Sequence, residues 1–166
     1  GFALANAGEQ STTGLEIDAT WSPIDPLTLT FAGTFLDPLY DSFPNSTVGD
    51  LSGQKPSGIS ETSIATSATY TFLIGDNWDA FVRADYAYES EVQVLDNIPG
   101  FTREVNLFNA SAGFETANGW GVQVWGRNIF NDEHLLSVFP GVAQEGSVNG
   151  YPNQPATYGI TIRKTF

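Results

Sequence analysis

Apolar and polar residues alternate with a two-residue period along most of the chain, and the 3.6-residue period of an amphipathic helix is nearly absent. The alternation predicts seven strands. The first runs from Phe2 to Trp21, with Thr13, Leu15, Ile17, Ala19 and Trp21 on one face and Gly14, Glu16, Asp18 and Thr20 on the other. The second covers Leu27–Tyr40, where Leu27, Leu29, Phe31, Gly33 and Phe35 alternate with Thr28, Thr30, Ala32 and Thr34. The third covers Glu61–Leu73, with Ile64, Thr66, Ala68, Tyr70 and Phe72 on its apolar side. The fourth is Trp78–Val94, with Trp78, Ala80, Val82, Ala84, Tyr86 and Tyr88 opposite Asp79, Phe81, Arg83, Asp85, Ala87 and Glu89. The fifth is Glu104–Glu115, the sixth Trp120–Asn131 and the last Ala156–Phe166.

The connections alternate in length. Ser22–Pro26, Ile74–Asn77 and Thr116–Gly119 are short, whereas Ser42–Ser60, Leu95–Arg103 and Asp132–Pro155 are long. Membrane barrels carry tight turns at one rim and long loops at the other. The expected fold class is therefore all-β, an antiparallel transmembrane β-barrel segment. Bacterial single-chain barrels have even strand numbers, and lipid does not tolerate open sheet edges. An odd set of strands thus predicts further strands before Gly1.

Aromatic residues reinforce this reading. Trp21, Phe72, Trp78, Phe114, Trp120 and Phe166 all fall beside short turns, as an interfacial girdle would. Tyr40, Tyr86 and Tyr88 are candidates for the opposite girdle. The competing explanation is aromatic core packing in a soluble, secreted β-sandwich that binds a ligand. Such a sandwich would place polar residues in the middle of each apolar face, and Thr66 is the single case near such a middle. The predicted lipid face carries one charge, Lys164, two residues from the end, where a cation costs roughly 0–1 kcal/mol against about 2–4 kcal/mol at the midplane.

Composition narrows the function. The chain has 166 residues, 19 Asp+Glu against 6 Lys+Arg, and a net charge of −13. That balance argues against nucleic acid, which requires a basic stripe. No cysteine is present, so neither a disulfide framework nor a thiolate metal site is expected. The absence of methionine and of a signal peptide points to a processed product or a fragment. No apolar run is long enough for a membrane helix, consistent with crossing by strands.

Candidate chemistry is sparse. His134 beside Asp132 and Glu133 could ligate a metal, but the polar start of a long loop explains the same residues. One loop histidine cannot make a Ser/His/Asp arrangement. Glu16/Asp18 and Glu89/Glu91 share a face at i, i+2, and a hydrated lumen wall accounts for them without acid–base catalysis. Asp37, Asp41, Asp50, Asp96 and Glu145 lie in or near long loops, as either substrate contacts or solvated charge. With His134 and Tyr151, the residues Asp41, Asp50 and Glu145 form the candidate set for substrate contact. No cofactor or enzymatic activity is expected.

Four passages resemble the C-terminal barrel of a TonB-dependent outer-membrane receptor. Asn6–Glu16 resembles the opening of a late strand, and Ser52–Glu61 the loop and descending strand after it. Trp125–Asp132 resembles the penultimate strand, with the signature Asn-Leu-Phe-Asp appearing as Asn128-Ile129-Phe130-Asn131. Pro155–Phe166 resembles the final strand, departing from the family where Ala156 replaces a frequent Arg and Lys164 a frequent aromatic. The resemblance implies that residues 1–166 are roughly the last third of a barrel of about 22 strands, with the plug domain and the TonB-contacting box upstream. It also implies TonB-energised uptake of a scarce substrate, an iron–siderophore complex by default, with vitamin B12, an oligosaccharide or a passive porin-type role as alternatives. The implied partners are outer-membrane lipid, the remaining strands and plug, the TonB complex and the barrel assembly machinery. That machinery would read Tyr158, Ile160, Ile162 and Phe166. Deleting Phe166 from the full-length protein is expected to lower the amount of heat-modifiable barrel in outer membranes; an unchanged amount would contradict a signal role.

Overall fold

The computed structural model of the chain describes residues 8–75 and 77–166. These residues form nine strands: β1 (Glu9–Ile24), β2 (Leu27–Ser42), β3 (Thr62–Ile74), β4 (Trp78–Gln93), β5 (Thr102–Thr116), β6 (Trp120–Arg127), β7 (Leu135–Pro140), β8 (Val148–Pro152) and β9 (Thr157–Lys164). Seven of them make one antiparallel sheet in the order β1-β2-β3-β4-β5-β6-β9, and β7-β8 form a separate hairpin. No described helix is long and apolar enough to cross a membrane.

Register carries the two-residue alternation from strand to strand. Tyr70 pairs with Val82, Val82 with Ala112, Ala112 with Val124 and Val124 with Ile160, so one apolar face continues across five strands. One residue along, Thr69 pairs with Arg83, Arg83 with Ser111 and Ser111 with Trp125, on the polar face. A slip of one residue would exchange the two faces, so the pattern itself enforces the register. The hairpins are staggered: Leu27 at the first turn pairs with Tyr70, yet β3 continues to Ile74 before turning. Such shear accompanies the strand tilt of a barrel wall.

The sheet is a single layer. Leu15, Trp21, Val82, Val124, Ile160 and Ile162 all stand exposed on its apolar face. A sheet must cover its apolar face with another layer or another medium. Of the buried apolar side chains, Tyr40, Ile98, Val105 and Val138 lie at the end where the long connections are, and the small Ala80 lies near a tight turn. Thr66 is the polar exception near the middle of the apolar face, and its hydroxyl donates to the Thr30 carbonyl at 2.7 Å.

The predicted strands recur with four corrections. β1 continues to Ile24 through a register shift after Trp21, so the first turn is only Asp25-Pro26. The predicted start of that strand at Phe2 lies outside the described residues. β6 stops at Arg127 rather than Asn131, because Asn128 and Asn131 both take left-handed backbone conformations, with φ of 49° and 54°. The connection expected to be loop from Asp132 to Pro155 contains the β7-β8 hairpin. Its alternation was masked by Gly and Pro residues around strands of only 6 and 5 residues. Finally, β9 ends at Lys164, so Phe166 lies past the strand and is fully exposed.

Gly159 shows how tightly the polar face is packed. A Cβ built there would sit 2.3 Å from the indole of Trp125, its cross-strand partner. The ring lies over the bare backbone and donates from Nε1 to Thr161 Oγ1 at 3.2 Å. Gly159→Val is therefore expected to evict the indole and cost about 1–3 kcal/mol, as overpacking typically does. Urea unfolding in lipid or detergent, followed by tryptophan fluorescence, measures both effects.

Candidate functional site

The polar face of the sheet holds a ladder of compensated charges. Arg83 donates from Nε to both carboxylate oxygens of Asp85, at 2.9 and 3.1 Å, and from Nη1 to Thr69 Oγ1 at 3.2 Å. Arg163 pairs with Glu115 and Arg103 with Glu89, each at 2.9 Å. Beside them, where Ser67 pairs across the ladder with Asp85, the Thr30 and Ser67 hydroxyls lie 2.7 Å apart. A recess of about 330 Å³ is lined in part by Asp18, Thr30, Ser67, Arg83, Asp85 and Asn109. Solvated pairs of this kind add roughly 0–1 kcal/mol each, so their role is to set the charge pattern of the wall more than its stability.

The long connections are folded. Residues 43–61 zip back onto the end of β2, with Gly53 N–H donating to Tyr40 O at 2.7 Å and Tyr40 N–H to Gln54 O at 3.0 Å. Asp96, from the next connection, accepts from the Tyr40 hydroxyl at 2.8 Å and from Ser57 N–H at 3.1 Å. Gly58 N–H also reaches Gln93 O at 2.8 Å. One carboxylate thus latches two loops together. Tyr40 is buried and shares alternation parity with Thr28, Thr30 and Thr34, so its expected place in an outward girdle is corrected to the polar side. Starting from Leu27, it also lies past the 9–11 or so residues that span a bilayer. Burial first, then the Asp96 hydrogen bond and charge, push its phenol up to about 12.

The third connection is clamped by asparagines. The Asn128 side chain is buried; its Nδ2 donates to Asp132 O at 2.9 Å and Gln154 O at 3.0 Å, while its Oδ1 accepts from Asp132 N–H at 2.8 Å. Its own N–H donates to Asn109 Oδ1 at 2.9 Å. Asn131 Oδ1 accepts from Ala156 N–H at 2.9 Å, and Asn153 Nδ2 donates to Asp132 O at 2.8 Å. Asparagine suits both demands, because it tolerates left-handed backbone and offers donors and an acceptor on one short side chain. Asn109 and Asn153 carry no sequence signal of this role, Asp96 stands out from sequence only as a loop acid, and the Asn128-Ile129-Phe130-Asn131 signature, which the sequence places in a strand, forms part of this clamp.

The predicted site residues are distributed as follows. Asp41 accepts from Ser11 Oγ at 3.0 Å, and Asp50 accepts from Ser52 N–H at 2.8 Å, with the Ser52 contacts holding its carboxyl below the ordinary range. His134 is buried against Asp132, with Nδ1 2.7 Å from Oδ2, and its N–H donates to Asn153 Oδ1 at 3.1 Å. Glu133 turns instead to Asn131 Nδ2 at 2.8 Å, and no described His/Asp/Glu group is placed to hold a metal. Glu145 lies in the turn between β7 and β8, and Tyr151 packs its ring 5.4 Å from Phe139. No described hydrogen bond or ion pair joins Asp41 or Asp50 to the other three. Glu89 and Glu91 serve separate partners across a bulge, Arg103 and Thr102 respectively.

On the apolar face Trp21, Phe72, Trp78 and Trp120 are exposed near the tight turns, and Phe114 stacks on Trp78 at 4.9 Å. Tyr158, Ile160 and Ile162 line the same face of β9. At the long-loop end, Phe130 is exposed and packs 5.3 Å from Phe108, while the Tyr158 hydroxyl donates to Ile129 O at 3.0 Å. Phe130 is an aromatic of that rim that alternation alone did not find, because it sits in the clamp rather than in a strand.

A continuous apolar face, a polar face of paired charges, tight turns at one rim and folded loops at the other define the wall of a transmembrane β-barrel. The chain belongs to the family described as TonB dependent receptor-like, beta-barrel, whose match covers residues 1–129. Among solved structures it is similar to the ferric yersiniabactin uptake receptor FyuA from Yersinia pestis, with a TM-score of 0.79 at 16% identity. That match covers 99% of this chain and 25% of the receptor chain, so this chain spans about a quarter of its structural relative. The curated proteins contain no significant match.

The latch carries its own pH dependence. Because the folded phenol of Tyr40 is raised above its ordinary value, its contribution is complete below pH 10 and is lost as pH rises through about 12. Tyr40→Phe should release the two loops at neutral pH at a cost of about 1.5–3 kcal/mol, the worth of a hydrogen bond to a charged group. Limited proteolysis within residues 43–61, as a function of pH, reads both effects.

Proposed function

We propose that this chain is the C-terminal part of an outer-membrane receptor that captures a scarce substrate outside the cell and imports it with energy delivered through TonB. The observation that carries this reading is the family match together with a fold shared over 99% of the chain with a solved uptake receptor. An iron–siderophore complex is the proposed substrate class, supported by the fold shared with a receptor for ferric yersiniabactin uptake. Vitamin B12 and oligosaccharides remain in the same functional class. The chain would contribute about the last third of a barrel of about 22 strands, enclose a plug domain carried by the rest of the protein, and take no catalytic part. Lipid on the apolar face and the barrel assembly machinery at β9 complete its proposed partners.

The soluble-sandwich alternative requires a second sheet over the apolar face, whereas the seven paired strands lie in one layer. A passive porin shares the wall and differs in needing no energy. Uptake of iron-55 from a panel of ferric siderophores, by cells with and without the receptor and with and without TonB, separates these readings. Loss of uptake in both deletions is the expected result. Uptake that persists without TonB would support the passive pore, and no dependence on the receptor for any ferric chelate would remove the iron reading.

A further inference from the structure

The six Lys and Arg residues are unequally employed. Lys55 pairs with Glu61, Arg83 with Asp85, Arg103 with Glu89 and Arg163 with Glu115. Lys164 leans on the rings of Trp120 and Phe166 and donates to Asn118 O, at the tight-turn rim. Arg127 differs from all of these. It shares the polar-face parity of Gln123 and Trp125, pairs across the ladder with Thr157, and is exposed. Among the described residues it has no carboxylate partner and no side-chain hydrogen bond, in a chain with 19 Asp+Glu. Its guanidinium carbon lies 5.2 Å from the centroid of the Trp125 ring.

The geometry around it is built. Trp125 cannot tilt away freely, because its indole is tied to Thr161 and rests on the bare backbone of Gly159. Stacking occupies a face of the guanidinium and leaves its in-plane N–H donors free, and those donors match the paired oxygens of a carboxylate or a similar anion. Neutral ligands gain little there, while an anion meets a positive charge uncompensated by any described carboxylate. The position, at the end of β6 directly below the asparagine clamp, is on the lumen wall near the mouth of the third long loop.

We propose that Arg127, stacked on Trp125, is an anion-receiving platform on the lumen wall, selecting substrates that present anionic oxygen pairs such as carboxylate- or catecholate-bearing chelates. This deepens the transport reading and rests on it for the identity of the cargo, though not for the anion preference itself.

The test uses the full-length receptor in detergent, with two independent measurements. In the first, iodide and the neutral quencher acrylamide are titrated against tryptophan fluorescence. The contribution of Trp125 is the difference between each protein and its Trp125→Phe counterpart. Arg127→Gln should lower iodide quenching of Trp125 about fivefold, the size expected of one unit charge about 4 Å from an anion in water. Acrylamide quenching should be unchanged, and Arg127→Lys should restore most of the iodide effect. Iodide quenching that ignores Arg127 overturns the proposal, whatever the cargo. In the second, binding of an iron(III) tricatecholate, which is anionic, is compared with that of a neutral iron(III) trihydroxamate. Arg127→Gln should weaken the anionic chelate about tenfold or more and leave the neutral one alone. Equal weakening of both would overturn the selectivity. Iodide dependence without binding of either chelate would support the platform and remove the siderophore reading.

Discussion

Every N–H and C=O that enters a bilayer must find its partner inside the protein, since lipid offers none. The seven-strand ladder is the response to that constraint, and the rest of the chain is arranged around it. Because the ladder is antiparallel and unbroken through the middle of β1 to β5, alternate residues on every strand share a face. Apolar residues can then be collected on one side and charges on the other without any water-excluding core. Apart from Ala80, the few buried apolar side chains gather where the loops fold, above the part of the sheet that lipid would cover.

Beyond the membrane span the logic changes. The loops are held by polar side chains that replace a ladder: Asp96 binds two segments at once, and Asn128 satisfies backbone groups on both sides of a connection that returns after more than twenty residues. Two left-handed asparagines stop β6 early and launch the hairpin of β7 and β8. The order of the long loops therefore depends on individual hydrogen bonds. They can be altered by single substitutions that the wall below would not feel.

Much of this was legible in the sequence, for a physical reason. A period of two has only two phases, so Leu15, Ile17 and Trp21 or Val82, Ala84 and Tyr86 assign a face at once, and the same faces meet across the ladder. The turns were legible through their shortness. What was not legible depends on long-range partners: nothing near Asp96 announces Tyr40, 56 residues away. The hairpin of β7 and β8 was too short to show a period, and the absence of a carboxylate beside Arg127 is a property of three dimensions. The candidate loop residues Asp41, Asp50, His134, Glu145 and Tyr151 stand out in sequence by residue type alone, and the structure gives most of them structural partners while leaving Glu145 at a loop tip.

Thr66 shows what such a wall does to the ordinary vocabulary of hydropathy. Its hydroxyl is satisfied by the Thr30 carbonyl on the neighbouring strand, so what it offers outward is mainly a methyl group. For the surrounding medium the residue behaves much like valine, although any transfer scale counts it as polar. A barrel face can therefore exchange threonine, alanine and valine over generations while its contact with lipid hardly changes. Its strands can then lose recognisable hydropathy, and even recognisable sequence, long before they lose their architecture.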